Sequence, residues 1–251
     1  MRPAMDAITR EKDGPVQILR FNRPDKKNAI TVAMYKALDE GLAAGEQDEN
    51  VKVHAVLGVP GAFCAGNDIA DFLMAAQKGT LGEEVLGFLR RLVTLDKPIV
   101  AGVDGVAVGV GTTMLMHCDM VLATQRSLFK TPFVDLGLVP EAASSLVAPR
   151  LMGHVRAFQL LAAGEAMDGA GALASGLVNR LVPEADLETE TLKLAARLAS
   201  RPANALRTAR RLIKGDPADI LARIDEEAEH FRSALKSPEA QAAFLAFMSR
   251  K

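Results

Sequence analysis

The 251-residue chain has no tryptophan, one tyrosine, two cysteines and four histidines. Cys64 and Cys118 show no metal-ligand spacing, which excludes a disulfide scaffold and a cysteine-based metal centre; both read as reduced, buried thiols. Neither sign of charge prevails. Thirty basic residues stand against thirty-one acidic ones, for a net charge of -1, and no block of like charge occurs. That balance excludes nucleic acid and anionic membrane as default partners. No apolar stretch has the length of a membrane span, and the opening MRPAMDAITREKDG is too charged for a signal peptide. The closing Ser249-Arg250-Lys251 is not the usual peroxisomal address, so the expectation is a cytoplasmic protein. Internal repeats and low-complexity segments are also missing.

What is present is a hydrophobic fraction of 49%, enough for one large domain with a substantial core. Val16 to Phe21 reads as a strand, closed by the turn segment NRPDKKNA. Thr31 to Ala44 follows with helical spacing of Val32, Tyr35, Leu38 and Leu42. Short apolar runs at Val53 to Leu57, Ile99 to Val103 and Asp119 to Ala123 predict strands. Ile69 to Ala76 and Val85 to Leu95 predict helices. Continuous apolar strands alternating with helices indicate an α/β fold with a parallel sheet covered on both faces. Beyond about residue 140 the spacing becomes helical. Ala203 to Ile213 is basic and amphipathic, Ile220 to Leu235 is acidic on one face, and Glu239 to Met248 carries an apolar stripe with Phe244 and Phe247. Phe231, Phe244 and Phe247 read first as domain or subunit packing, with an acyl cradle as a second use.

Two glycine-bearing segments, AFCAGNDI (Ala62 to Ile69) and DGVAVGVGTTM (Asp104 to Met114), each follow a β-branched run. Each predicts a strand that ends in a turn with outward-facing amides at the start of a helix. Two such turns can aim two N–H groups at one oxygen, the oxyanion hole that stabilises an enolate or a tetrahedral adduct of a thioester. The plainer alternative is that Gly66, Gly109 and Gly111 only permit tight turns.

Five ordered segments, NRPDKKNAI, AFCAGNDI, KPIVAGVDGVAVGVG, CDMVLAT and TPFVDLGLVPEAASSL, resemble the crotonase (enoyl-CoA hydratase/isomerase) superfamily over nearly the whole chain. The resemblance implies a spiral of ββα units over residues 1–190 and a C-terminal helical region over 191–251 that covers the site and serves trimerisation. It also implies an acyl-CoA thioester substrate, a homotrimer or dimer of trimers, no metal, and no cofactor beyond the coenzyme A of the substrate. By position the oxyanion donors would be the amides of Ala65 and Val110. Lys26, Lys27 and Ala29 would line the adenosine and pantetheine path, and Gly66, Asn67, Asp68 and Ile69 would border the thioester. Lysines suit CoA phosphates as mobile point charges, although Lys26 and Lys27 read equally well as two solvated loop charges. Asp68 also reads as the cap of the helix beginning at Ile69.

Hydratases of this superfamily use two glutamates, and the matching positions here hold Thr113 and Phe133, neither of which can replace a carboxylate. Glu141 in LVPEAASS remains. Its position resembles that of the base in the Δ3,Δ2-enoyl-CoA isomerases, which need one proton moved from C2 to C4. Phe133, Val134, Leu136, Leu138 and Val139 around it are expected to raise its pKa. An acid after proline in a helix's first turn is also a common dipole-favouring residue. Asp135 is the competing carboxylate and is expected to be structural. Ser144, Ser145 and His117 do not make a nucleophilic triad, since no G-x-S-x-G elbow is present and His117 reads as a packed neutral histidine. The expectation is therefore an enoyl-CoA isomerase, with an enoyl-CoA hydratase or another crotonase-type lyase as one alternative and a catalytically silent binding or scaffold protein as another.

Overall fold

A computed structural model of the protein describes residues 6–71, 74 and 82–249, with the backbone alone at 247 and 248. The chain opens with an antiparallel hairpin, β1 (Ile8–Asp13) and β2 (Val16–Phe21), followed by α1 (Val32–Gln47), whose Thr31 cap accepts from the Met34 amide. Three consecutive units then each place one strand in a large sheet and the next in a small one. They are β3 (Val53–Leu57) with β4 (Ala62–Cys64), β5 (Ile99–Val103) with β6 (Val106–Val108), and β7 (Met120–Ala123) with β8 (Leu128–Lys130). The expected helix at Ile69 to Ala76 begins at 69–71, and most of the rest lies outside the described residues. α2 (Glu83–Thr94) precedes β5, and the four-residue α3 (Val110–Thr113) follows β6.

The large sheet runs β1-β2-β3-β5-β7-β10, with β10 at Arg180–Leu181, and is parallel from β2 onward; the small sheet runs β4-β6-β8-β9, with β9 at Met167–Asp168. This is the repeated ββα arrangement the sequence leads one to expect. Alternation along β3 sends Val53, Ala55 and Leu57 to one face and Val56 to the other, so the large sheet feeds two cores. The larger core holds Phe21 against Phe63 and Tyr35 against Phe88, in edge-to-face pairs at 5.5 and 5.7 Å. The smaller is capped by Leu187, Leu194 and Ala195 of α7 (Leu187–Ala199). His54 is wholly buried in β3, its ring bonded to Gln17 and Glu46, so it is a core residue.

Beyond residue 140 come α4 (Ser144–Met152), α5 (His154–Leu161), α6 (Gly169–Ser175), and, after α7, α8 (Ala203–Lys214), α9 (Ala218–Leu235) and α10 (Pro238–Met248). α9 lies against α2 and α4, and α10 lies against the turn at Val134–Leu136. Gly137 makes that second approach possible: a Cβ there would stand 2.8 Å from the Ala240 amide nitrogen. The C-terminal helices are thereby brought over the ends of the small-sheet strands. No helix among the described residues is long and apolar enough to cross a membrane.

Candidate active site

β4 and β6 are parallel neighbours, so their C-terminal ends, each leading to a glycine turn, emerge side by side. Gly66 adopts φ +86, and a Cβ on it would lie 3.1 Å from the Val108 carbonyl oxygen, so the two turns touch at backbone level. Gly109, at φ +53, donates its amide to Lys130 O at 2.8 Å and turns the chain into α3. Val110 follows at the first helical position. Its side chain is buried in the larger core and its amide has no hydrogen-bond partner among the described residues.

The donor expected at Ala65 is corrected by the structure. The Ala65 amide donates to Lys27 O at 3.0 Å, so it is committed to holding the preceding loop. The free amide is two residues on. Ile30 N donates to Gly66 O and Asp68 N donates to Ile30 O, both at 2.8 Å, which brackets Asn67 in a parallel bridge and turns its own N–H away from Ile30. Asn67 N, like Val110 N, has no partner among the described residues, and both residues line one cavity of about 140 Å³. Tyr35 Oη–H fixes the Asn67 side chain through a 2.6 Å bond to Oδ1. The apolar walls of this cavity include Phe133, Leu136, Leu138, Phe231 and Phe244.

The loop ahead of β4 is held by Asn28, which is buried in the left-handed region at φ +58. Its Nδ2 donates to Ala62 O and Phe63 O, and its Oδ1 accepts from Arg23 N. Lys26 and Lys27 are exposed on that loop, and Ala29 is half-buried; none of the three lines the 140 Å³ cavity, whereas Gly66 and Ile69 do. Asp68 caps the helix start, accepting from Ala70 N at 3.1 Å, and pairs with Arg23 at 2.6 Å. Burial works against its charge, but the bond to Arg23 and those to the Asp71 and Ala70 amides hold its carboxyl below the usual carboxylate range.

Glu141 is 8% exposed and stands just before α4. Burial pushes its carboxyl up to about 7; the hydrogen bond from Thr113 Oγ–H to Oε1, 3.0 Å long, works the other way, and the charge of Glu227 adds to the rise. Val134, expected to shield it, is exposed instead, and the apolar cover comes from Leu86, Leu89, Ile224 and Phe231. Glu141 borders a small cavity of about 10 Å³ adjoining the larger one, and Phe231 lines both. Asp135 is exposed and pairs with Lys130 at 3.4 Å, which removes it as a rival base.

After Glu141 come Ala142 at φ +61 and Ala143 at φ +54, two consecutive alanines in the left-handed region, costing roughly 1–2 kcal/mol each. His117 helps hold this turn. Burial pushes its ring down to about 4, so it is neutral near pH 7, with Nε2–H donating to Ala142 O at 2.7 Å. Ser144 and Ser145 contact neither His117 nor each other as a triad; Ser145 bonds Glu227. Both cysteines are free, and burial pushes each thiol up to about 12. No group of three potential metal ligands occurs among the described residues.

Two unpartnered amides on residues that line one apolar cavity, with a buried carboxylate on a second cavity that shares Phe231, can hold a thioester oxygen and move a proton near it. Comparisons with known proteins point to one family. A family model described as "Enoyl-CoA hydratase/isomerase" matches residues 11–251. "Enoyl-CoA delta isomerase 2" of Rattus norvegicus is 34% identical over 95% of this chain and 62% of its own length. The "Short-chain-enoyl-CoA hydratase" of Clostridium acetobutylicum is 29% identical over 98% and 96%. The chain thus spans about three fifths of the rat isomerase it matches. Among solved structures, Pseudomonas aeruginosa OdaA superposes with a TM-score of 0.93 at 38% identity, covering 97% of this chain and 99% of that one. With a family model matched almost from end to end and the same fold in a relative of this identity, the chain belongs to the enoyl-CoA hydratase/isomerase family.

Proposed function

We propose that the protein shifts the double bond of a 3-enoyl-CoA to the 2-position. The thioester oxygen is held by the amides of Asn67 and Val110, which stabilise the dienolate as charge develops on it. Glu141 removes the C2 proton and, as the protonated acid, returns it to C4. Thr113 engages one oxygen of the carboxylate and orients it, leaving the other for proton transfer. The observation that carries the reading is Glu141 itself: a buried carboxylate raised to about 7 and bonded by Thr113, in a chain that holds Thr113 and Phe133 at the two positions where hydration by the family's two-glutamate route needs carboxylates. A base with that pKa is matched to neutral pH.

Lys26 and Lys27 are exposed on the loop whose backbone anchors β4, and we assign them to the CoA phosphates, with Ala29 and Ile69 along the path to the thioester. No cofactor beyond the substrate's own CoA is invoked. We also infer a homotrimer or dimer of trimers, for which the exposed Val155 (78%) and Phe158 (59%) of α5 offer apolar surface; light scattering of the purified protein measures this. Replacing Glu141 by Gln is expected to abolish 3-enoyl-CoA isomerisation while CoA binding persists. Near-normal turnover in that variant contradicts the assignment, and rapid hydration of 2-enoyl-CoA by the wild type favours the hydratase reading instead.

A further inference from the structure

A second buried carboxylate stands beside Glu141, and the proposed proton transfer does not use it. Glu227 lies midway along α9, is 6% exposed, and lines the same small cavity as Glu141. Its Oε1 accepts from the Ser145 amide at 3.0 Å and from Ser145 Oγ–H at 2.6 Å, while Arg223, one turn earlier, donates to the same Oγ at 3.0 Å. Its Oε2 is buried with no hydrogen-bond partner among the described residues. A half-satisfied buried carboxylate is a poor choice for stability alone, which directs attention to what it holds.

Between Glu141 and Ser145 runs the turn with two left-handed alanines. Such a backbone persists only where its surroundings over-determine it. Three contacts do so here: His117 Nε2–H on Ala142 O, Glu227 on Ser145, and the Ala143 amide facing the Glu227 carboxyl. The first anchors the turn to the helical segment after α3, the other two to the C-terminal helices. We propose that Glu227 is a positioning residue for Glu141: by clamping Ser145 to α9 it holds the strained turn that aims the base. This rests on the reading of Glu141 as the base.

The titratable groups facing Glu141 are Glu227 from α9, Tyr35 from α1, Cys64 from β4, and the neutral His117 through Ala142. Glu227 in turn faces Arg223 on its own helix and Glu141. Burial holds the Glu227 carboxyl itself above the usual carboxylate range, and once ionised its charge adds to burial in holding the Glu141 carboxyl up, so removing that charge lowers the pH at which the base ionises.

The test is 3-enoyl-CoA kinetics on Glu227→Ala, Glu227→Gln and Glu141→Gln, each checked for a cooperative thermal transition. Glu227→Ala is expected to lose about ten- to a hundredfold in kcat, as for a misplaced base, with KM within about twofold. Glu227→Gln keeps an acceptor for the Ser145 amide and is expected to restore kcat to within about threefold of wild type. Wild-type kcat in the Ala variant, or a loss the Gln variant does not restore, overturns the proposal. If the Ala variant fails to fold, the Gln variant decides: an acid limb of kcat/KM moved to lower pH supports it, and an unmoved limb overturns it. Full activity in Glu141→Gln removes the base and this inference together; activity lost there, with Glu227→Ala at wild-type kcat, overturns this inference alone.

Discussion

Glu141 is held in an environment that resists its charge, and that resistance has a thermodynamic signature separate from turnover. Its carboxyl titrates near 7 in the fold against an ordinary 4.5, so the folded state binds that proton more tightly than the unfolded chain. The resulting stabilisation is fully present below about pH 4.5 and is lost as pH rises through 7. The difference amounts to about 3 kcal/mol. Glu141→Gln cannot ionise, so its Tm is expected to exceed that of the wild type by roughly 6 °C or more at pH 8 and to match it near pH 4.5; equal melting at both pH values contradicts the burial reading. Thr113→Val removes the bond that opposes the shift, and it is expected to move the acid limb of kcat/KM to higher pH. Glu141 was legible in the sequence because LVPEAASS resembles the segment that carries the base in the superfamily's isomerases. Glu227 was not. It lies 82 positions from Ser145, and only the docking of α9 brings them together.

At the scale of elements, the two glycine turns work as a pair because β4 and β6 are parallel neighbours. Asn67→Pro deletes an amide hydrogen that has no partner among the described residues, and is expected to cost on the order of 100- to 1000-fold in kcat with the fold retained. Asn67→Ala keeps the amide and serves as the control for loss of the Tyr35 contact; an equal loss in both variants contradicts the role given to the amide. Asn28 makes a different case. Its amide satisfies two carbonyls of β4, so Asn28→Ala is expected to destabilise by about 2–4 kcal/mol in urea unfolding, leaving buried acceptors unpaired. The β-branched runs made the strands and both turns readable. Which amide remained free was not readable, because it depends on the pairing of Ile30 with Asn67 and of Ala65 with Lys27, contacts between segments some forty residues apart.

For the molecule as a whole, two sheets generate the paired turns, and the C-terminal helices finish the site, with Phe231 and Phe244 as walls and Glu227 behind the Glu141 turn. The ordered segments of the sequence conveyed this architecture, since each ββα unit carries its own glycine and apolar signature. The contribution of the last helices was less legible: amphipathic spacing shows that a face is buried but not what it covers. Val134 shows the same limit, apolar in sequence and exposed in the fold. The central claim is that this site moves one proton through Glu141 and adds no water. The most direct measurement is a side-by-side assay of 3-enoyl-CoA isomerisation and 2-enoyl-CoA hydration on the wild type and Glu141→Gln. The account predicts isomerisation by the wild type, little hydration by either, and no isomerisation by the variant; rapid hydration by the wild type, or isomerisation that survives in the variant, contradicts it.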